Sequence, residues 1–421
     1  MDDADRPLSE SPEVGLSRRR FLHGAALASA ALATPTVFAQ SPPSPGPTPV
    51  GSLSGPAAPP LAGADPLAPP DKQPPHLEIP IPHQRLGWAI VGLGELALGE
   101  ILPAFAKSQN SRLAGLVSGH RNKAKKIADF YKLPEASIYG YMEFDRIAED
   151  KDIDVVYIAL PNSMHAEFTI RALQAGKHVL CEKPMACTVA ECEAMIAAAQ
   201  TAGRQLGVAY RLHYEPMNLA VMDMCRRKEF GEIKTFSASH CQDVKAPNIR
   251  LSAPLGGGPV GDLGIYCINA ARYTINEEPL DVMAVATQPQ SDFRFREVPE
   301  SVSFLLRYPS GVLAACECSF GSARLSRYQV LCSKGTISMD PAFSYRGLRL
   351  RTQRELSAGP EESQRFLEPV DQFAAEMDAF SRSIQRNDPF PTPGEMGLRD
   401  MRIVLAVLES ARLGGQPVKV A

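Results

Sequence analysis

The sequence predicts an α/β protein in two parts: a doubly wound parallel sheet, then an α+β part built on a largely antiparallel, open sheet. Three observations predict it. From residue 86 to residue 209, short apolar runs alternate with helical patterns, as in a parallel sheet with helices on both faces. The first run, Trp88-Ala89-Ile90-Val91, opens directly into Gly92-Leu93-Gly94, and Ala97 follows. After Tyr214 strand patterns succeed one another through turns such as Pro309-Ser310-Gly311, the layout of antiparallel strands.

The chain of 421 residues is long enough for two substantial cores, and 44% hydrophobic with 22% charged residues describes a soluble globular protein. A formal net charge of -3 gives no electrostatic case for nucleic acid as a partner. The excess of the 37 prolines falls before Arg85. Nine cysteines, all from Cys181 onward, are odd in number and scattered, so they read as free thiols or small apolar residues. Cys316 and Cys318 face the same way on a strand pattern, but no His or second Cys pair nearby suggests a metal.

Residues 1–39 carry the three parts of an export signal. Ser17-Arg18-Arg19-Arg20-Phe21-Leu22 is the charged part, 24–33 is a short alanine-rich apolar run, and Val37-Phe38-Ala39 ends in a small residue. The apolar run is too short to span a bilayer. The arginine pair before Phe-Leu resembles a twin-arginine signal, which implies the twin-arginine export machinery as a partner, export after folding, and a periplasmic location. Residues 40–84 form a proline-rich arm. Leu77, Ile79 and Ile81 give it apolar side chains that a pure spacer does not need.

From residue 85 to residue 211 the elements follow in order. The first strand ends at Gly92, whose freedom permits a tight turn; Gly94 lets backbone approach a pyrophosphate, and Ala97 lets helix pack on strand. The helix runs to about residue 107 with Pro103 as a kink or restart. The second strand, 113–117, leads into Ser118-Gly119-His120-Arg121-Asn122-Lys123. A carboxylate at this turn would select NAD; Ser118 with Arg121 and Lys123 favours the extra phosphate of NADP. A helix to residue 131, a strand at 153–160, a break at Pro161-Asn162-Ser163-Met164-His165 and a helix at 166–175 come next. Strand 177–181, helix 188–202 and strand 205–209 complete the sheet. Ligands bind beyond the carboxyl ends of such strands, where Gly92, Ser118, Pro161, Glu182 and Arg211 fall.

Residues 212–421 predict a helix at 215–228, strands at 233–240, 281–287, 301–308, 312–319 and 328–331, and closing helices at 371–385 and 396–413. Gly256-Gly257-Gly258 read as a loop, with Asp262 placed to cap a helix running to Thr274. Asp262, Tyr266, Asn269 and Tyr273 then share one helix face, where a substrate cleft is expected.

Gly92 to Ala97, PNSMHAEF from Pro161, CEKPM from Cys181 and YRLHYEPMN from Tyr210 together resemble the Gfo/Idh/MocA oxidoreductases, and within them the glucose-fructose oxidoreductase branch. The resemblance implies a Rossmann NADP-binding domain over residues 85–211 and a substrate and oligomerisation domain over 212–421. Its cofactor contacts would be Gly92, Leu93, Gly94, Ala97, Ser118, Gly119, Arg121, Lys123, Pro161, Asn162, His165, Glu182, Lys183 and Arg211. Its catalytic group would be Lys183, Tyr266 and Asp262, with small-molecule sugars as substrates and no metal. It also implies that one face of the second sheet pairs with another subunit, in a homodimer or homotetramer.

Oxidising a sugar's anomeric carbon sends hydride to a nicotinamide while the hydroxyl proton leaves to a base. Free tyrosine keeps its proton to near pH 10, so a tyrosine base needs a cation beside it, and Lys183 can be that cation. The expected activity is oxidation of an aldose such as glucose to its lactone, with reduction of a second sugar such as fructose by the same bound NADP. Alternatives are an aldose dehydrogenase with exchangeable NADP and a non-catalytic nicotinamide sensor. The chain has Glu95 where that branch has lysine, and Asn248-Ile249-Arg250 where the family often has Trp-Arg, which makes aldose-aldose oxidoreduction a serious variant.

Overall fold

The computed structural model describes residues 85–420; the expected export signal and proline-rich arm lie outside the described residues. The first sheet has six parallel strands: β1 (Leu86–Val91), β2 (Ser111–Val117), β3 (Ile138–Tyr139), β4 (Val155–Ile158), β5 (His178–Glu182) and β6 (Leu206–Ala209). Their order, β3-β2-β1-β4-β5-β6, reverses direction between β1 and β4 and opens a crevice at the carboxyl ends there. Every residue of β4 is buried, as expected for a strand covered on both faces.

The helix after β1 departs from the regular winding expected of it. Residues Ala97–Ile101 form a π-helical turn and only then comes α1 (Leu102–Ala104). Pro103 has no N–H to give and its ring crowds the preceding turn, so the wider winding just before it relieves the conflict that a proline creates inside a helix. The other helices of this part are α2 (Arg121–Tyr131), α3 (His165–Gln174) and α4 (Val189–Ala202). A capping box formed by Thr188 and Glu191 starts α4.

The second part contains α5 (Pro216–Arg226), β7 (Ile233–Asp243), α6 (Ile265–Ile275), β8 (Asp281–Thr287), β9 (Ser301–Arg307), β10 (Leu313–Ser319) and β11 (Gly321–Cys332). It continues with β12 (Gly335–Met339), β13 (Leu350–Leu356), β14 (Gly359–Arg365), α7 (Gln372–Arg386), α8 (Gly394–Arg412) and β15 (Val418–Lys419). Its nine strands lie in the order β14-β13-β12-β11-β7-β10-β9-β8-β15. All neighbours are antiparallel except β7 and β10. Strands β12 to β14 were not expected from the sequence. In β14, GPEESQR, no residue is buried, so no apolar alternation marks it.

One face of this sheet packs Phe236, Phe304, Leu306 and Ala314 in a core with Cys267, Ile268 and Ala271 of α6 and Val404 and Val407 of α8. Helix α7 goes elsewhere. Its Phe373, Met377 and Phe380 join Trp88, Ile90, Tyr157 and Leu180 in the core of the first sheet. There the Trp88 indole N–H donates to Ser381 Oγ at 3.1 Å, and Asp378 accepts from the backbone N–H of Gln109 and Asn110, each at 2.8 Å. Among the described residues all nine cysteines are free and no group of His, Cys, Asp and Glu could hold a metal. No described helix is long and apolar enough to cross a membrane.

Candidate active site

The site begins where the chain leaves β5. Lys183 Nζ donates to the backbone oxygen of Asp262 at 3.0 Å and to its Oδ1 at 3.1 Å, and stands 4.8 Å from the centroid of the Tyr266 ring. The other oxygen of Asp262 accepts from Arg250 Nε at 2.7 Å. Asp262 is therefore no helix cap. It lies inside a π-helical turn, Val260–Gly264, that precedes α6, and the wider turn carries its carboxylate toward Lys183 and Arg250. Burial would raise this carboxyl, but Lys183 and Arg250 together hold it well below the usual carboxylate range. Burial would likewise lower Lys183, but Tyr266, Asp262 and Glu182 raise it above an ordinary lysine.

A second cation reaches Tyr266 from the end of β6. Arg211 Nη2 lies 3.4 Å from the Tyr266 hydroxyl and donates to the backbone oxygen of Phe343 at 2.5 Å. Its guanidinium is stacked between rings, 5.2 Å from the centroid of Tyr266 and 4.5 Å from that of Tyr345. Arg211 is only 4% exposed, and its Nη1 also donates to the Gln372 side chain. Arg211, expected at the cofactor, sits against the tyrosine, with α7 and the loop after β12 closed over it.

Three further side chains expected at the cofactor are committed to protein partners. The amide of Asn162 donates to the Gly256 carbonyl at 2.7 Å. Both ring nitrogens of buried His165 lie 2.9 Å from backbone oxygens, those of Pro184 and Leu160, and burial pushes the imidazole toward its neutral form. Glu182 accepts from the Tyr157 hydroxyl at 2.8 Å and from the Lys183 N–H at 3.2 Å. These residues brace the strand ends that carry Lys183.

The turn after β1 fits a dinucleotide. Gly92 has φ +95°, and a Cβ there would meet the Ala159 carbonyl oxygen at 2.3 Å, so this turn requires glycine. At exposed Gly94 a Cβ would meet nothing within 4 Å, which leaves backbone open to a phosphate at the start of the helix. Leu93 and Ala97 are buried beneath the turn, and Pro161 leads out of β4 across the crevice. At the end of β2 Ser118 is buried, its Oγ accepting from the His120 N–H at 3.1 Å, while Gly119, Arg121 and Lys123 are exposed.

The expected polar face of α6 divides in two. Tyr266 and the preceding Asp262 belong to the Lys183 cluster. Asn269 instead bonds His213 and Asp400, each at 2.8 Å, and Tyr273 donates to Asn218 at 3.1 Å. Those two tie α6 to α5, to α8 and to the turn after β6. Sequence reasoning missed Arg250 and Tyr345 as site residues. Arg250 stood in the loop that departs from the family pattern, which was a usable signal; nothing local marked Tyr345, which meets Arg211 from the end of β6 and Phe373 from α7.

Residues 86–210 match the oxidoreductase family with an NAD-binding Rossmann fold, and residues 218–338 match the Gfo/Idh/MocA C-terminal domain. The chain belongs to the Gfo/Idh/MocA oxidoreductases. A crystal structure of aldose-aldose oxidoreductase from Caulobacter crescentus, complexed with glycerol, is similar, with 42% identity and TM-score 0.76 over 80% of this chain and 100% of that one. D-xylose 1-dehydrogenase (NADP(+)) 2 of Haloferax volcanii is 28% identical over 78% of this chain and 98% of that protein. The dTDP-3,4-didehydro-2,6-dideoxy-alpha-D-glucose 3-reductase of Streptomyces violaceoruber is 32% identical over 78% of this chain and 96% of that protein. As a member of this family the chain is an oxidoreductase with an NAD(P)-binding domain.

Proposed function

We propose that the protein is a periplasmic sugar oxidoreductase that holds NADP, oxidises an aldose to its lactone and reduces a second sugar with the same cofactor. The observation that carries this reading is the phenol of Tyr266 between two cations, Lys183 at its ring and Arg211 at its hydroxyl. NADP, when bound, supplies the hydride acceptor. Gly92 to Ala97 would hold its pyrophosphate, and Ser118, Arg121 and Lys123 its 2'-phosphate. Tyr266 takes the proton of the anomeric hydroxyl, and the two cations stabilise the charge it acquires. Lys183 donates a hydrogen bond to the sugar oxygen, and Asp262 with Arg250 fixes where that ammonium points. In the return direction Tyr266 gives its proton to the carbonyl of the second sugar.

The test is to purify the protein with no nucleotide added and follow near-ultraviolet absorbance on adding glucose, then fructose or a second aldose. A reduced-nicotinamide band that rises with the first sugar and falls with the second supports the coupled reaction. A band that needs added NADP supports the second reading, a dehydrogenase with exchangeable cofactor, which the similarity to a D-xylose 1-dehydrogenase favours. No band with any sugar and NADP removes both.

Two further parts of the proposal have their own tests. A groove of about 740 Å³ runs over the outer face of the second sheet, lined by Met283, Val285, Leu305 and Glu317 among others, and a second copy would cover it. Val285→Glu should then shift the solution mass from dimer or tetramer toward monomer. Export rests on Arg18 and Arg19; replacing both by lysine should keep the protein inside the cytoplasm.

A further inference from the structure

Glu376 of α7 is completely buried, and among the described residues neither of its carboxyl oxygens has a hydrogen-bond partner. An unpartnered buried carboxyl is costly, so its retention calls for an explanation. One helical turn earlier, Gln372 accepts from Arg211 Nη1, which places Glu376 on the helix face that meets the guanidinium. Arg211 Nε is itself buried and unpartnered. The remaining charged and titratable groups that face Glu376 are Glu182 of β5, Tyr157 of β4 and Tyr214 before α5.

We propose that Glu376, held neutral, is a positioning residue: its uncharged carboxyl gives the Arg211 guanidinium a polar neighbour that keeps it turned to the Tyr266 hydroxyl without cancelling its charge. Two carboxyls in one buried site share their protons unequally. Glu182 accepts hydrogen bonds from Tyr157 and from the Lys183 N–H, whereas Glu376 accepts none, so the proton resides on Glu376. Burial first, and then the charge of Glu182, push Glu376 in that direction, against a smaller opposing pull from Arg211. With Glu376 neutral, Lys183, Arg211 and Arg250 outnumber Glu182 and Asp262, and the surplus positive charge faces the tyrosine. An ionised Glu376 would cancel it. Glu376 never meets the sugar; it keeps Arg211 polar company without taking its charge.

This inference rests on the oxidoreductase reading, and its test separates the two. Glu376→Gln keeps shape, polarity and neutrality, and should keep kcat within about twofold of wild type. Glu376→Met removes the polar group from beside Arg211. It should lower kcat about tenfold with KM unchanged, a smaller loss than the hundredfold or more that follows removal of a donor touching the reacting oxygen. Its thermal midpoint should equal or exceed that of wild type, because an apolar side chain replaces an unpartnered buried acid. A merely structural residue would lose stability and turnover together. With wild type active, a Met variant that turns over normally, or a Gln variant as impaired as Met, overturns the inference alone. Wild-type protein that fails to reduce NADP with every sugar tested overturns the inference and the reading beneath it.

Discussion

The two ends of α6 carry similar residues and do opposite things. At the far end, Arg272 is 7% exposed, reaches Asp400 at 2.5 Å and Glu278 at 2.5 Å, and Asn269 and Tyr273 fill their hydrogen bonds with His213, Asp400 and Asn218. Every charge there has its partner. At the near end, Lys183 and Arg250 share the single carboxylate Asp262, Arg211 leans on a phenol, and Lys183 and Tyr266 stay partly open to the cleft. A closed network holds the fold; an excess of cations around one tyrosine is a site prepared for negative charge.

Breaking the near end should have the largest effect. Tyr266→Phe should bind NADP as wild type does and lose about 10²- to 10⁴-fold in single-turnover hydride transfer, the range for removing a proton-transfer group. Breaking the far end should cost stability instead. Asp400→Ala strands the Arg272 guanidinium and should lower the unfolding free energy by about 3 kcal/mol in urea. Turnover per folded molecule should stay within about twofold, since the sites are separate. A large loss of turnover in Asp400→Ala would erase the distinction between the two ends.

Acidification sharpens the comparison. The carboxyl of Asp262 titrates lower in the folded state than in the unfolded one, so its stabilising contribution is complete above about pH 4. It is lost as pH falls toward the folded value. Urea unfolding at pH 5 and pH 3 should show a steeper decline for wild type than for Asp262→Asn, by at most about 1.4 kcal/mol per pH unit. Equal declines would mean that Asp262 is not held by its cations. The smallest effect belongs at the edge of the crevice. Arg121→Ala should weaken NADP about fivefold and leave NAD unchanged. Stability should be unchanged in urea unfolding, because its 3.4 Å pair with Glu135 is exposed and screened by solvent.

Much of this could be read from the residues in order. The turn from Gly92 to Ala97 and the strand rhythm up to Ala209 are local patterns, and local patterns decide a parallel sheet whose strands are buried on both faces. Lys183 and Tyr266 were also legible as a pair, through motif and helix spacing. What was not legible came from distance in the chain. Arg211 was expected at the cofactor because it follows a strand, but its partners Phe343 and Gln372 lie more than a hundred residues away and no local pattern points to them. Spacing placed Asp262, Tyr266, Asn269 and Tyr273 on one face, but only the packing of α8 decides which of them is sealed by Asp400. Strands such as β14 escaped because their side chains are exposed and carry no alternation.

The bond between Trp88 and Ser381 joins residues 293 positions apart. The Rossmann core therefore receives α7 only after the ribosome has made every strand from β7 to β14. Until then Trp88, Ile90 and Leu180 present an uncovered apolar face, which chaperones can hold and proteases can find. Completion of the cofactor-binding half therefore waits for most of the second part, and a chain cut before α7 cannot reach it.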